Sequence, residues 1–358
     1  MSVSKRSFQL VAWFSAIVFL FAAIACNNNG GSGSGSVSLQ GAGATFPAPL
    51  YQKWLSEYGN RHSNVKIDYQ SIGSGGGIKQ LKEQTVDFGA SDAPMSDADL
   101  KAAPGEIVHI PTVLGAVVIT YNLESVKQPL RFSSEVLADI FLGKIKKWND
   151  PKIAADNPGV TLPTNDITVV HRSDGSGTSA VFTDYLSKVS AEWKEKVGAG
   201  VSPSWPTGIG GKGNEGVTGQ VKNTPNTIGY VELAYAAKNK LPVAHIKNAG
   251  GAFIEPTIDA VTAAASASAT SMPDDLRISI TNAEGAQAYP ISSYTYILVY
   301  KNQKDAAKGK ALMDFLWWGI HDGEGFAKDL QYAPLPADVV KKAEAKINSI
   351  TGNGTALR

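Results

Sequence analysis

Apolar and polar positions follow two different periods along the chain, and the two kinds of segment alternate. Short runs rich in β-branched and aromatic residues, such as VKIDYQSIG and TYILVY, predict strands. Longer segments with apolar residues at helical spacing, such as PAPLYQKWLSEYGN with its early prolines, predict helices. The predicted strands are residues 65–73, 115–122, 166–173 and 295–300, and the predicted helices are residues 47–60, 76–86, 308–320 and 337–350. This alternation favours an α/β fold.

The first apolar run, residues 11–25, follows a short basic segment and ends at Cys26, the only cysteine. A basic start, an apolar core and small residues at a boundary are typical of an export signal. A transmembrane anchor is the alternative, because the run is nearly long enough to span a bilayer. The segment resembles a bacterial lipoprotein signal. We expect residues 1–25 to be a signal peptide that is cleaved off, after which Cys26 is lipidated. A flexible tether at residues 26–37 then holds the body outside the cytoplasmic membrane.

Charge composition excludes one class of partner. The 33 basic and 32 acidic residues give a net charge of +1, and no block of like charge stands out. Nucleic acids and other polyanions need a basic surface, so we expect no nucleic-acid partner. Any anion that this protein binds must be captured by local groups.

Four loops carry the same small hydrogen-bonding residues. GAGATFPAPLY (residues 41–51), SIGSGGGIKQL (71–81) and RSDGSGTSAVF (172–182) each lead into a predicted helix, and DFGASDAPMS (87–96) is a strand followed by a tight polar turn. A single such loop is usually an ordinary helix cap. Glycine lets backbone N–H groups approach a ligand closely, and a helix N-terminus adds partial positive charge. Several such termini that converge would form an anion site without a basic patch.

Two charged side chains sharpen this expectation. Arg172 can hold two oxygens of a tetrahedral oxyanion with its planar fork, and Asp174 either steadies Arg172 or only forms the turn. Asp92 would repel a fully ionised anion at about 4 Å by about 4 kcal/mol at an effective dielectric of 20. If Asp92 lines the site, the ligand must carry a proton, which phosphate does near neutral pH and sulfate does not. The sequence alone does not place Asp92 there.

A glycine-rich stretch at residues 205–217, WPTGIGGKGNEGV, has some features of a phosphate-binding P-loop. It fails that template, because Pro206 takes the first glycine position and Gly213 follows Lys212 where Ser or Thr is required. We interpret it as a tight structural loop.

Taken together, the chain resembles the phosphate-binding proteins of the bacterial high-affinity phosphate ABC transporter, the Pst system. The resemblance covers nearly everything after the tether and rests on GAGATFPAPLY, GSGGGIKQL, DFGASDAPMS, IFLGKIKKWNDP, RSDGSGTS, PTGIGGKGNEGV and TIGYVELAY, in the family's order. It implies a type II periplasmic-binding-protein fold, with two discontinuous α/β domains that close around one dehydrated phosphate. Domain I would comprise residues 38–116 and 289–358, and domain II residues 117–288.

The resemblance also assigns site residues by position. It implies that Thr45 and Phe46 offer donors, that Asp92 accepts the phosphate proton, and that Asp174 orients Arg172 through an ion pair. Gly75 stands where some members of the family have a second serine, and we expect His171 to lie outside the site. The implied phosphate-binding residues are Ala44, Thr45, Phe46, Ser74, Asp92, Arg172, Ser176, Gly177 and Thr178.

The resemblance further implies a receptor in the periplasm or at the cell surface, not an enzyme, without cofactor or metal. Its partners would be inorganic phosphate, the permease and ATPase of the transporter, and the membrane through lipidated Cys26; we expect a monomer. One alternative is a secreted phosphatase-like hydrolase, although neither Ser74 nor Ser176 lies in a Gly-x-Ser-x-Gly elbow. The other is a receptor for a different oxyanion or an organic phosphate.

Overall fold

The computed structural model describes residues 36–358. The predicted signal peptide, Cys26 and nearly all of the tether lie outside the described residues. In the described part, the strands are β1 (Val37–Gly43), β2 (Val65–Ser71), β3 (Phe88–Ser91), β4 (Ile107–Tyr121), β5 (Arg131–Phe132), β6 (Thr168–Arg172), β7 (Ile209–Gly211), β8 (Thr227–Glu232), β9 (His245–Lys247), β10 (Phe253–Ile254), β11 (Ser292–Tyr300), β12 (Asn302–Gln303), β13 (Thr351–Gly352) and β14 (Thr355–Ala356).

The helices fall between these strands. They are α1 (Ala48–Arg61), α2 (Ser74–Lys82), α3 (Asp97–Lys101), α4 (Ser134–Phe141), α5 (Pro151–Asp156), α6 (Gly177–Val189), α7 (Ala191–Lys196), α8 (Gly213–Asn223), α9 (Leu233–Asn239), α10 (Ile258–Ser268), α11 (Ala306–Gly319) and α12 (Ala337–Asn348). Short 3₁₀ turns follow at Ala269–Ser271, Asp322–Phe326 and Lys328–Leu330. No helix within residues 36–358 has the length and apolar character needed to cross a membrane.

The principal sheet has eight strands in the order β2-β1-β3-β11-β4-β8-β6-β7. At one end β1 pairs in parallel with β2 and β3, and at the other end β6 pairs in parallel with β7 and β8. Two further sheets of three strands have the orders β10-β9-β5 and β12-β13-β14. Helices separate the parallel strands in sequence, so the predicted α/β fold is confirmed.

Strand β4 connects the two ends of the principal sheet. All 15 of its residues are buried. Its first part, Ile107 to Ala116, pairs antiparallel with β11, whereas Val117 to Tyr121 pairs antiparallel with β8. One strand therefore passes from one group of parallel strands to the other, and the partner changes between Ala116 and Val117.

The sequence predicted this strand only over residues 115–122, whereas β4 extends back through Pro111 to Ile107. Proline lacks the N–H that a sheet ladder needs and is confined to edges and irregularities. Here Pro111 lies opposite Tyr296, where the β4–β11 register shifts. The irregularity accommodates the proline, and the strand continues to Ile107.

Helix α2 also differs from its prediction, since it begins at Ser74 rather than residue 76 and ends at Lys82. Gly73 precedes it with a φ of 90°, a conformation that glycine adopts without strain. Gln84 has a φ of 56°, which ends the helical path. Ser74 is consequently the first residue of the helix, immediately after the turn that follows β2.

Candidate functional site

The candidate site lies at the carboxyl ends of parallel strands. The loops after β1, β2, β3 and β6 are the four small-residue loops that the sequence singles out, and the loop after β7 joins them. In open α/β sheets, ligands bind outside the carboxyl ends of the strands. The topology therefore brings together loops that are far apart along the chain.

Arg172, the last residue of β6, is only 3% exposed. Its Nε donates to Asp174 Oδ1 at 2.7 Å and its Nη2 donates to Asp174 Oδ2 at 2.5 Å. Asp174 also accepts the Gly213 N–H at 3.0 Å. Burial raises the pKa of Asp174, but the Arg172 hydrogen bonds and charge outweigh it and hold that pKa below its usual range. The predicted ion pair is therefore present and fixes the guanidinium plane.

The second guanidinium edge faces the first turn of α6. Arg172 Nη1 donates to Thr178 Oγ1 at 3.4 Å, and Ser176 caps the helix by accepting the Ser179 N–H at 3.0 Å. Ser176 and Thr178 are fully buried. The N-terminal partial charge of α6 thus adds to that of Arg172 in one buried place.

Asp92 follows β3 and is 1% exposed. Its Oδ1 accepts the Thr295 hydroxyl at 2.9 Å, while its buried Oδ2 has no hydrogen-bond partner within residues 36–358. Burial raises the pKa of Asp92 to about 7, against the opposing effects of Thr295, Arg172 and Ser74. A buried oxygen without a partner is costly, so Oδ2 is the natural acceptor for a ligand proton.

Ser74 and Gly177 place the N-termini of α2 and α6 against Asp92. The Asp92 N–H donates to Ser74 Oγ at 3.3 Å. A Cβ built on Gly177 would lie 2.8 Å from the Asp92 Cβ, and closer still to Ser74 Oγ and Asp92 Oδ2. The Gly75 N–H donates to the Gly175 carbonyl at 2.9 Å, which ties the two loops together.

Three successive carbonyls of the loop after β1 are each held by a tyrosine hydroxyl. The Ala44, Thr45 and Phe46 carbonyls accept from Tyr69 at 2.7 Å, Tyr235 at 2.6 Å and Tyr332 at 2.6 Å, respectively. In a trans peptide, C=O and N–H point in opposite directions. The Thr45 and Phe46 N–H groups therefore point away from Tyr69 and Tyr235. The Ala44 N–H donates to the Ala90 carbonyl at 3.0 Å.

Asn214 is the residue that the sequence reasoning missed. It lies in the first turn of α8, inside the glycine-rich stretch interpreted as a structural loop, and is fully buried. Its Nδ2 donates to Thr45 Oγ1 at 2.7 Å and to Thr178 Oγ1 at 3.1 Å. The one available signal is the position of Asn214 after a strand and at a helix start, the same context as in the loops at residues 41–51, 71–81 and 172–182.

His171 lies outside this cluster. Its ring stacks on Trp205 with centroids 5.0 Å apart, and its Nδ1 lies 3.0 Å from the Arg172 carbonyl oxygen. The remaining predicted site residues are joined by the contacts described above. The site thus collects N–H and O–H donors and one guanidinium around Asp92 Oδ2, which has no hydrogen-bond partner within residues 36–358. This arrangement suits a small oxyanion carrying one proton.

Comparisons with known proteins agree on the family. Residues 30–318 match the family model described as a PBP superfamily domain. The chain is 49% identical over 310 residues to the phosphate-binding protein PstS of Xylella fastidiosa, covering 86% of this chain and 84% of that protein. It is 39% identical over 378 residues to the phosphate-binding protein PstS of Methanocaldococcus jannaschii, covering 97% and 96%.

Two solved structures share the fold at low sequence identity. The high-affinity periplasmic phosphate-binding protein PfluDING, bound with phosphate, matches with a TM-score of 0.69 and 21% identity, over 86% of this chain and 93% of that one. A phosphate-binding protein from Stenotrophomonas maltophilia matches with a TM-score of 0.66 and 21% identity, also over 86% of this chain and 93% of that one.

Proposed function

Because this chain belongs to the family of the phosphate-binding protein PstS, within the PBP superfamily, we propose that it is an extracytoplasmic receptor for inorganic phosphate. It binds the anion between two domains and delivers it to an ABC importer, whose permease and ATPase are its protein partners. The names of the relatives support phosphate as the ligand.

One observation carries the choice of ligand: Asp92 Oδ2 is buried beside two helix N-termini and has no hydrogen-bond partner in the described part of the chain. An ionised carboxylate there would repel sulfate, which has no proton to share near neutral pH. Phosphate that retains a proton turns the same contact into a hydrogen bond. Asp92 is thus the acceptor in a site otherwise built from donors.

The donors suit a tetrahedral anion. Arg172 supplies the charge, Ser74 and Ser176 supply hydroxyls at the starts of α2 and α6, and Thr45 and Thr178 supply two more. Charge-assisted bonds contribute roughly 1.5–3 kcal/mol each. The remaining residues of the proposed set are Ala44, Phe46 and Gly177, with Asp174 orienting Arg172.

We place the domain boundary where β4 exchanges β11 for β8, so that residues 38–116 and 289–358 form domain I and residues 117–288 form domain II. The two proposed domains contact each other at the site. The Gly75 N–H donates to the Gly175 carbonyl, Asn214 donates to the Thr45 hydroxyl, and Tyr235 donates to the Thr45 carbonyl. These contacts correspond to the closed form. Ligand that bridges both segments favours this form over an open one by its difference in affinity.

A binding role fits the site better than hydrolysis. Hydrolysis without a metal needs a nucleophile activated by a base. Ser74 Oγ instead accepts the Asp92 N–H, and Ser176 Oγ accepts the Ser179 N–H as a helix cap. His171 is engaged with Trp205 and the Arg172 carbonyl. The serines are therefore arranged as hydrogen-bonding groups.

Export completes the proposal. The basic segment, the apolar run and Cys26 make residues 1–25 a lipoprotein signal peptide, and lipidated Cys26 anchors a monomeric receptor through the tether at residues 26–37. Radiolabelled fatty acid should be incorporated into the wild-type protein and not into a Cys26→Ala variant.

Calorimetric titration with phosphate tests the proposed function. The protein is first freed of ligand by unfolding and refolding, and we expect one phosphate per chain. Arg172→Met should weaken binding at least 100-fold, since it removes two or more charge-assisted bonds. Arg131→Met is the matched control, because Arg131 is exposed and lies over the Phe253 ring instead. Absence of phosphate binding by the wild type, or equal binding by the Arg172 variant, would contradict the proposal.

A further inference from the structure

Asn214 contacts two hydroxyls of the proposed phosphate site. It lies in the glycine-rich stretch at residues 205–217, which the sequence analysis did not assign to the site. It donates to Thr45, which follows β1, and to Thr178, in the first turn of α6. These two threonines lie in different proposed domains. A single buried side chain therefore connects donors from both sides of the cleft.

The orientation of the Asn214 amide follows from its third contact. Its Oδ1 accepts the Glu232 backbone N–H at 2.9 Å. A backbone N–H is only a donor, so the amide oxygen must lie on that side and the NH₂ group on the other. Both Nδ2 hydrogens are then committed to hydroxyl oxygens, one to Thr45 and one to Thr178.

The Thr45 hydroxyl is saturated as an acceptor. Its oxygen receives Asn214 Nδ2 at 2.7 Å and also the Asn214 backbone N–H at 3.2 Å. A hydroxyl has two lone pairs and one proton. With both lone pairs occupied, the Thr45 hydroxyl can interact further only by donating that proton.

The Thr178 hydroxyl is saturated in the same way. Its oxygen receives Asn214 Nδ2 at 3.1 Å and Arg172 Nη1 at 3.4 Å. Its proton is likewise free only to donate. Asn214 thus fixes the direction of two hydroxyl dipoles that would otherwise rotate between donor and acceptor roles.

We propose that Asn214 is a positioning residue that makes Thr45 and Thr178 obligatory donors, so that the cleft accepts only ligands with acceptor oxygens at both positions. This inference rests on the proposed phosphate-binding function. It complements Asp92: the ligand presents acceptors to the threonines and its one proton to the carboxylate. Because Asn214 and Thr45 lie in different proposed domains, the Thr45 hydroxyl is aligned only when the cleft is closed.

The test is a mutant cycle in phosphate affinity, measured by calorimetry on the ligand-free protein. Asn214→Ala should weaken phosphate binding about 10- to 100-fold in the wild-type background, because two hydroxyls lose their fixed direction. In a Thr45→Val/Thr178→Val background, which lacks both hydroxyls, Asn214→Ala should weaken phosphate binding less than about threefold. Asn214→Leu, which keeps the side-chain volume without the amide, should repeat both results.

Asn248→Ala is the matched control, since Asn248 is a buried asparagine whose Nδ2 donates to the Gly285, Ala286 and Ala288 carbonyls. It should lower the melting temperature without changing phosphate affinity. Equal fold losses for Asn214→Ala in both backgrounds, with a wild type that binds phosphate, would overturn the role of Asn214 alone. A wild type that binds no phosphate would overturn the proposed function together with it.

Discussion

Gly177 faces Asp92 at a distance that leaves no room for a side chain: a Cβ on Gly177 would lie 2.8 Å from the Asp92 Cβ. The two residues come from opposite sides of the proposed cleft. Their approach brings the N-terminus of α6 to the carboxylate that would take the ligand proton. The fit of the closed cleft therefore depends on the absence of one methyl group.

Gly177→Ala is expected to weaken phosphate binding at least 100-fold, because the added methyl group holds the cleft open at Ser74 and Asp92. The fold should persist, since the open form relieves the clash. Gly219→Ala is the matched control: Gly219 lies within α8, and a Cβ there meets nothing within 4 Å. Calorimetry and thermal unfolding of both variants measure the effect. Wild-type affinity in Gly177→Ala would show that the two loops do not close in this way.

Tyr235→Phe is expected to weaken phosphate binding roughly threefold to tenfold, because it frees the Thr45 carbonyl and with it the orientation of the Phe46 N–H. Tyr300→Phe is its control, since the Tyr300 hydroxyl donates at 2.8 Å to the Leu81 carbonyl, near the C-terminal end of α2 and not in the loop after β1. Titration of both variants with phosphate makes the comparison. Equal phosphate affinities of Tyr235→Phe and Tyr300→Phe would mean that Tyr235 does not position the loop after β1.

Glu324 is expected to make stability depend on pH. Its Oε1 accepts the Leu335 N–H at 3.2 Å, its Oε2 is buried without a partner within residues 36–358, and burial raises its pKa from 4.5 to about 8. The folded state binds the Glu324 proton more tightly than the unfolded state does, so protonation of Glu324 stabilises the fold. This stabilisation is complete below pH 4.5 and is lost as the pH rises towards 8. The loss of folding stability should be at most about 5 kcal/mol, because each pKa unit of the shift corresponds to about 1.4 kcal/mol.

Thermal unfolding of ligand-free protein at pH 5 and pH 8.5 checks this expectation. Glu324→Gln should gain stability relative to the wild type at the higher pH, because the amide cannot ionise. The exposed Glu284→Gln should leave the pH dependence unchanged. If the melting temperature of Glu324→Gln equals that of the wild type at both pH values, burial does not raise the pKa of this carboxyl.

The loops that the sequence predicted as site loops share a local signature that needs no tertiary information. Gly, Ser and Thr at the end of a strand and the start of a helix identify the surroundings of Thr45, Ser74 and Ser176, because strand ends and helix caps are set by neighbouring residues. Arg172 and Asp174 are two positions apart, so their ion pair also follows from local geometry.

Other parts of the site depend on partners far along the chain. Asn214 is 169 residues from Thr45, and its role is fixed only when the loops after β1, β6 and β7 meet. The sequence likewise gives no sign that Tyr69, Tyr235 and Tyr332 hold three consecutive carbonyls. Strand β4 also continues past Pro111 to Ile107, beyond its predicted start, because the irregularity that accommodates the proline is formed with β11. Such features follow from topology rather than from propensity.

Lower pH is expected to weaken discrimination against sulfate. Burial raises the pKa of Asp92 to about 7, so below that pH the carboxyl of the ligand-free site holds its own proton. A protonated carboxyl donates to a fully ionised anion, and the repulsion is removed. Sulfate should compete with phosphate at least tenfold better at pH 5.5 than at pH 8. Equal competition at both pH values would contradict the role given to this carboxyl.

The most direct test of phosphate recognition is the ratio of phosphate to sulfate affinity at pH 8, in the wild type and in Asp92→Asn. A repulsion of about 4 kcal/mol between Asp92 and a fully ionised anion corresponds to a ratio on the order of 1,000. We expect at least that ratio in the wild type and a fall to within about tenfold of unity in Asp92→Asn. A wild type that binds sulfate nearly as well as phosphate, or a ratio that survives the substitution, would contradict the account.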